Sequence, residues 1–412
     1  MTLPPAASLH ELAPSFYSQW QSLNDWLARH ERLWRPVPFM EPQPEWCRLH
    51  PELASWLEGL SDAECAKRED QLVEFAQEAA RFVPGLAGYG DRVAVPGLIE
   101  PELGRKAALP EVKAVDMPGR KRLQAGAFAA TVAPLTGPVL DWCCGKGHLA
   151  RTLAMQGAEQ VLGYEWNPEL VTDGNRLAEH YQDRVTLKQQ DVMAGNLAWP
   201  DAVHGVALHA CGDLHRQLLQ RGSAAGAARL SISPCCYHLT ESEPYRLLSA
   251  RARDHAGALT IDRNGLRLAV QETVTAPARV REQTARASSW RLGFDMLQRH
   301  LSGVDRYLPV PSHPPKLNNG TFEGFCRWAA ERKQVSLPDQ IDWPYWQQAC
   351  ERRSGQVRRH ELLRHLFRRP MELWMVLDYG LFLEEQGYQV RLGTFCDRSL
   401  TPRNLLLDAV RR

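Results

Sequence analysis

Apolar and polar positions alternate in two different ways along the chain. From residue 118 onward, short apolar runs recur at roughly 20 to 25 residue intervals: "PVLDW", "QVLGYE", "VTLKQQ", "VHGVALH" and "ARLSISP". Each ends in polar or glycine-containing residues and is followed by a helix-length segment. Strands alternating with helices in this way predict a parallel sheet with helices on both faces, an α/β Rossmann-like architecture. Near the C-terminus the helical pattern "PMELWMVLDYGLFLEEQGY" precedes "QVRLGTF" and "RNLLLDAV", two strands close enough to pair antiparallel. The sheet is therefore expected to hold seven strands.

Before residue 85 the pattern is helical, with capping boxes at Ser8 to Glu11 and Ser61 to Glu64. A Gly/Pro-rich connection, "VPGLAGYGDRVAVPGLIEPELG", follows. About 130 residues separate the fifth strand from the late helix, far more than a crossover needs, so they read as a mainly helical insertion. The expected segments are an N-terminal helical domain and linker over 1–110, a nucleotide-binding core over 111–240, the insertion over 241–369, and a helix with a β-hairpin over 370–412.

Composition changes this picture only locally. The 412 residues are 44% hydrophobic and 24% charged, with a net charge of +1, which gives no whole-chain signal for nucleic acid or membrane. No basic leader precedes an apolar run, and no stretch approaches the ~18 apolar residues of a membrane span, so no membrane association and a cytoplasmic location are expected. Within 276–370, however, 17 Lys and Arg face 9 Asp and Glu. The densest part is "RRSGQVRRHELLRHLFRRP". Residues 352–369, with Arg358, Arg359, Arg368 and Arg369, are the expected phosphate-binding surface for RNA, against the alternative of a solvated helix face. The ten cysteines include no CxxC spacing and are expected to be thiols.

"VLDWCCGKGHLA" places Gly145 and Gly147 between a strand and a helix, with Ala150 at a third small position. Backbone N–H groups there can approach a nucleotide-like ligand closely. The spacing suits a dinucleotide or S-adenosylmethionine (SAM), and three acids favour SAM. Asp141, at the end of the first strand, suits an ammonium better than a pyrophosphate. Glu165 ends the second strand, where a carboxylate can accept from both ribose hydroxyls. Asp191 ends the third, beside Val192 and Met193, and can meet the adenine amino group while its neighbours contact the ring.

"DWCCGKGHL", "ALHACGDL", "SPCCYHLT" and "LTPRN" together resemble the successive motifs of a methyltransferase-like family that includes the glutathione S-transferase C-terminal domain-containing protein. They are more distantly similar to eukaryotic tRNA ribose 2′-O-methyltransferases with a Cys-Cys-x-His motif. The resemblance covers about residues 115 to 240 and 370 to 410. It implies a class I SAM-dependent methyltransferase fold, with SAM as cofactor. Cys143 stands where many class I enzymes carry the first glycine, and it joins Asp141, Gly145, Gly147, Glu165, Asp191, Val192 and His209 as an expected cofactor contact.

The ends of the fourth and fifth strands carry the richest chemistry: His209, Cys211 and Asp213 face Cys235, Cys236, Tyr237 and His238. Three readings stay open. A zinc site could use His209, Cys211, His238 and one of Cys235 or Cys236, because adjacent cysteines in extended chain point to opposite faces. A thiolate from Cys211 or Cys235 could add to a pyrimidine ring during carbon-5 methylation. The favoured reading needs no metal. Pro234 stiffens a platform, Tyr237 stacks on the acceptor, and His238 or Asp213 orients or deprotonates it. Arg120, Lys121 and Gln124, ahead of the first strand, are candidates to contact the cofactor carboxylate, against a plain basic helix face, and Arg403 with Asn404, between the last two strands, to border the acceptor, against an ordinary turn. RNA is the expected acceptor; a protein or small-molecule acceptor, a non-catalytic binding module and a nicotinamide oxidoreductase are the alternatives.

Overall fold

Each of the seven expected apolar runs forms a strand in the computed structural model, which describes residues 15–195, 197–272, 278–312, 314, 317 and 320–412. The capping box expected at Ser8 lies outside the described residues. The strands are β1 (Val139–Trp142), β2 (Val161–Glu165), β3 (Val185–Gln189), β4 (His204–Cys211), β5 (Arg229–Cys235), β6 (Tyr388–Thr394) and β7 (Leu405–Arg411). Their order across the sheet is β3-β2-β1-β4-β5-β7-β6. The pairs among β1 to β5 are parallel, and β7 runs antiparallel to both β5 and β6. The expected C-terminal hairpin therefore closes one edge of the sheet. Strand order reverses between β1 and β4, and in open α/β sheets ligands bind above the carboxyl ends of strands at such a reversal.

The described residues divide into two compact units. The first holds residues 15–29, the described part of 93–272, and 369–412, and contains the sheet. Its core packs Phe128, Ala125 and Ala129 of the helix Gly119–Thr131 against Val139, Val161, Val206 and Leu153, all buried. The helix Phe16–Arg29 belongs here as well. Asn24 on it is buried, accepts from the Leu259 N–H at 2.9 Å and the Trp374 indole at 3.2 Å, and donates to the Gly257 carbonyl at 3.0 Å. At the amino ends of β4 and β5 a buried network ties the strands together. Asp408 accepts from Arg229 at 2.8 and 2.9 Å, from Arg391 at 2.6 Å and from Ser231 at 2.6 Å, and His204 meets the Ser231 hydroxyl at 2.7 Å. With the far end of the sheet pinned in this way, the carboxyl end is left for chemistry.

The second unit joins residues 30–92 to the described residues of 278–368. The boundaries thus cut differently from a segmentation at 1–110 and 241–369, because segments distant in sequence share one core. The capping box at Ser61 and Glu64 forms, with the Glu64 carboxylate accepting from the Ser61 N–H at 2.8 Å.

The Arg-rich helix Trp343–His365 corrects one expectation. Arg353, Arg364 and Arg368 are buried, and Arg353 and Arg364 donate to the carbonyls of Pro38 and Trp34. Arg359 donates to the Leu60 carbonyl at 2.7 Å, and Arg358 lies near Asp62 and Glu69. In the first unit, Arg369 is paired with Glu372 at 2.7 Å. Guanidinium groups spent on internal carbonyls and carboxylates are not a free phosphate-binding surface. Residues 352–369 are mostly the spine of the second unit.

Candidate active site

The carboxyl ends of β1, β2 and β3 form the first half of the site. Cys143 follows β1 with φ of +58°, a left-handed conformation that costs a non-glycine residue energy. A cysteine thus adopts here the backbone that a glycine would take without strain. Gly145 and Gly147 follow at φ of +57° and +70°. A Cβ built on Gly145 would meet nothing within 4 Å, so the loop turns its bare backbone to open space.

Glu165 holds this loop in shape. Its carboxylate is buried, with Oε2 accepting from the Gly145 N–H and Oε1 from the Asn167 N–H, each at 3.0 Å. Each carboxylate oxygen can accept a second bond, which leaves capacity for a pair of ribose hydroxyls. Asn167 also caps the helix Pro168–Tyr181 by accepting from Glu169 and Leu170. Asp191 is exposed after β3 and accepts from the Met193 N–H at 2.8 Å, while Val192 is buried. Trp166, next to Glu165, is 73% exposed. The sequence reading missed it; a large aromatic directly after a strand-terminal acid was the available signal.

Asp141 differs from its expected setting. It is 2% exposed, and its Oδ2 accepts from the Ala150 N–H at 3.0 Å, so it anchors the start of the helix His148–Met155 from beneath. Burial raises its pKa to about 7, countered by the Ala150 hydrogen bond and assisted by nearby Glu165. Burial also pushes the Cys143 thiol up to about 12, so it is not a nucleophile at neutral pH.

The second half lies at the ends of β4 and β5, where the backbone is again strained. His209 has φ of +67° and Cys236 of +49°, and the β4/β5 register shifts between Leu208 and Cys211. Left-handed non-glycine residues are uncommon, and three of them end β1, β4 and β5. The bulge sets Cys211 beside Cys235, their Sγ atoms 3.6 Å apart. The turn at Cys236 abolishes the extended-chain alternation that was expected to separate the adjacent cysteines. All three Sγ atoms of Cys211, Cys235 and Cys236 lie within 4.8 Å of one another. Hydrogen bonds from Cys211 and then Cys235 hold the Cys236 thiol well below the ordinary thiol range, and those with Cys211 and then Cys236 push the Cys235 thiol well above it.

His209 Nε2 meets the Gln124 Oε1 at 2.9 Å, and Gln124 Nε2 donates to the Leu400 carbonyl at 2.7 Å. That chain fixes the amide, places the imidazole proton on Nε2 and leaves Nδ1 as an acceptor. Burial, then Lys121, lowers the His209 pKa to about 4, with Arg120 and Arg403 adding to the effect. The imidazole is therefore neutral at ordinary pH, inside a basic rim. Arg120 and Lys121 are exposed.

Two expected acceptor contacts are tied up instead. Tyr237 is 1% exposed, its hydroxyl donating to Glu372 at 3.2 Å and its ring edge-on to His215, so it offers no face for stacking. Asp213 accepts from the Glu241 N–H at 2.8 Å and pairs with Arg216 at 3.3 Å, which holds the turn after His238. His238 is half-buried, with a buried and unpartnered Nδ1.

A seven-stranded sheet of this order, with a glycine loop after β1 and acids ending β2 and β3, has the architecture of class I methyltransferases. A family model described as a methyltransferase domain matches residues 127–243, the stretch that holds the glycine loop, all three acids and the thiols. SAM is the cofactor of that class, and Gly145, Glu165 and Asp191 fit it. Among solved structures, the chain is similar to a 23S rRNA methyltransferase at 23% identity over 26% of this chain and 43% of that one, with a TM-score of 0.23. A tRNA (uracil-54, C5)-methyltransferase from Pyrococcus abyssi aligns at 21% identity over 28% and 29%, with a TM-score of 0.24. Magnesium protoporphyrin IX methyltransferase from Synechocystis PCC 6803 aligns at 20% identity over 26% and 53%, with a TM-score of 0.22. The chain thus spans from under a third to about half the length of these proteins. No curated protein matches. Among the described residues, no helix is long and apolar enough to cross a membrane.

Proposed function

We propose that the protein transfers the methyl group of SAM to RNA held at the carboxyl edge of β4 and β5. The observation that carries the reading is the single edge that joins a SAM-shaped half, Gly145, Glu165 and Asp191, to an acceptor half with His209, Cys211, Cys236 and His238. Bound there, SAM supplies an electrophilic methyl group. Transfer from a sulfonium needs mainly alignment of the acceptor lone pair with that methyl, so fixed geometry contributes most. His209 is fixed by Gln124 and neutral, and it accepts a hydrogen bond at Nδ1 from the acceptor and so orients it. His238 bounds the other side. Tyr237 and Asp213 are positioning residues that hold the turn through Glu372 and Glu241.

RNA is favoured as acceptor by the exposed Lys121 and Arg120 near His209, which suit a phosphate backbone; Arg120 also donates to the Leu400 carbonyl at 3.3 Å, and Arg403 is tied to the Val270 carbonyl. The helix Trp343–His365 takes no part in this reading. The test is transfer from SAM labelled in its methyl group into lysate of a strain that lacks the protein, fractionated into RNA, protein and small molecules. Label in RNA is expected. Label confined to protein or small molecules would replace the acceptor, and no label in any fraction would remove the enzymatic reading.

A further inference from the structure

The three thiols at the ends of β4 and β5 sit closer together than packing alone requires. Cys211 and Cys235 belong to neighbouring strands, and their sulfurs lie 3.6 Å apart without a disulfide. The Cys236 sulfur joins them only because its backbone takes φ of +49°, and the Leu239 N–H to Cys236 carbonyl bond at 2.8 Å closes that turn.

Zinc bonds thiolate sulfur at about 2.3 Å and prefers a tetrahedron, whose sulfur-to-sulfur edges are then about 3.8 Å. The separation of 3.6 Å between Cys211 and Cys235, with all three sulfurs within 4.8 Å, falls close to that edge. A set of three thiolate sulfurs selects zinc over magnesium or calcium.

We infer that Cys211, Cys235 and Cys236 form a three-thiolate zinc site that locks the ends of β4 and β5 together beside the acceptor. The three thiols lose their protons to solvent as the metal binds, and no electron transfer is involved. Three thiolates hold the ion at the strand ends, and water completes the tetrahedron. The inference stands on the thiol geometry and does not depend on the acceptor's identity.

The test uses the full chain, purified under reducing conditions. Zinc content is measured by mass spectrometry, and the metal-stripped protein is titrated with Co²⁺. About one zinc per chain is expected, together with a thiolate-to-cobalt charge-transfer band and the visible bands of a tetrahedral site. Cys236→Ser should weaken Co²⁺ binding at least tenfold while far-UV circular dichroism stays unchanged. Should Cys235→Ser misfold, Cys211→Ser gives the same reading at a less buried position. Absence of both zinc and a charge-transfer band in the wild type would overturn the site. So would Co²⁺ affinity unchanged in Cys236→Ser, or a Cys211–Cys235 disulfide in the protein as isolated. None of these readouts uses methyl transfer, so failure here is distinguishable from failure of the methyltransferase reading.

Discussion

Asp141→Asn should make the protein more stable at pH 8 and change little at the acid end. Asp141 is 2% exposed beneath the glycine loop, and its pKa rises from the ordinary 3.8 to about 7. In the folded protein the group stays protonated up to about 7, whereas in the unfolded chain it ionises near 3.8. Between those values folding takes up a proton. Its contribution is fully present below 3.8, is lost as pH rises to about 7, and is constant above that. The gap corresponds to ~4 kcal/mol at full value. Relaxation of the buried site reduces the expected gain to about 2 to 4 kcal/mol at pH 8. Asparagine keeps the shape and a carbonyl oxygen to accept from the Ala150 N–H. The assay is urea unfolding of both proteins at pH 5, 6, 7 and 8. The difference should widen from pH 5 to 7 and then level. Parallel curves, or a variant less stable at every pH, would refute the burial argument.

Glu165→Ala should weaken SAM binding by about 1.5 to 3 kcal/mol, the range for hydrogen bonds to a charged group, and should also lower the unfolding midpoint. The stability loss follows from the two backbone N–H groups, of Gly145 and Asn167, that the carboxylate satisfies; unchanged affinity in calorimetry would take Glu165 out of the site. Replacing Arg358, Arg359, Arg368 and Arg369 by glutamine should lower thermal stability and leave the salt dependence of RNA binding unaltered. A flatter salt slope would restore that segment as a phosphate surface. Because His209 is held neutral with a pKa of about 4, turnover should show no inflection near 6.5 that depends on His209; a change near pH 7 should follow Asp141 and disappear in Asp141→Asn. An inflection near 6.5 that disappears in His209→Ala would show the imidazole ionising where burial forbids it.

The sheet was legible because its signals are local. Each strand is a run such as "PVLDW" that ends in polar residues, and the glycine loop and acids sit at fixed offsets from those ends. Glu165 and Asp191 were assigned to strand ends by position alone, without knowledge of their partners. What escaped the sequence depends on contacts between distant segments or on backbone conformations that residue type does not announce. The Arg-rich helix reads as a charged surface because its partners at Asp62 and Glu69 lie some 290 residues earlier. Cysteine gives no sign of a left-handed φ, so the turn at Cys236 could not be anticipated and the adjacent thiols were expected on opposite faces. Tyr237 looked available for stacking until Glu372, on the late helix Arg368–Glu385, supplied the acceptor that buries it. Asp141 was placed at the right strand end, but the Ala150 N–H turns its carboxyl under the loop.

The central claim is that the edge formed by Gly145, Glu165 and Asp191 holds SAM. Calorimetric titration of the wild-type protein and Glu165→Ala with SAM, and separately with NADH, tests it most directly. One SAM per chain, weakened in Glu165→Ala, with no NADH binding, is the predicted result. Saturable binding of NADH with none of SAM would contradict the account.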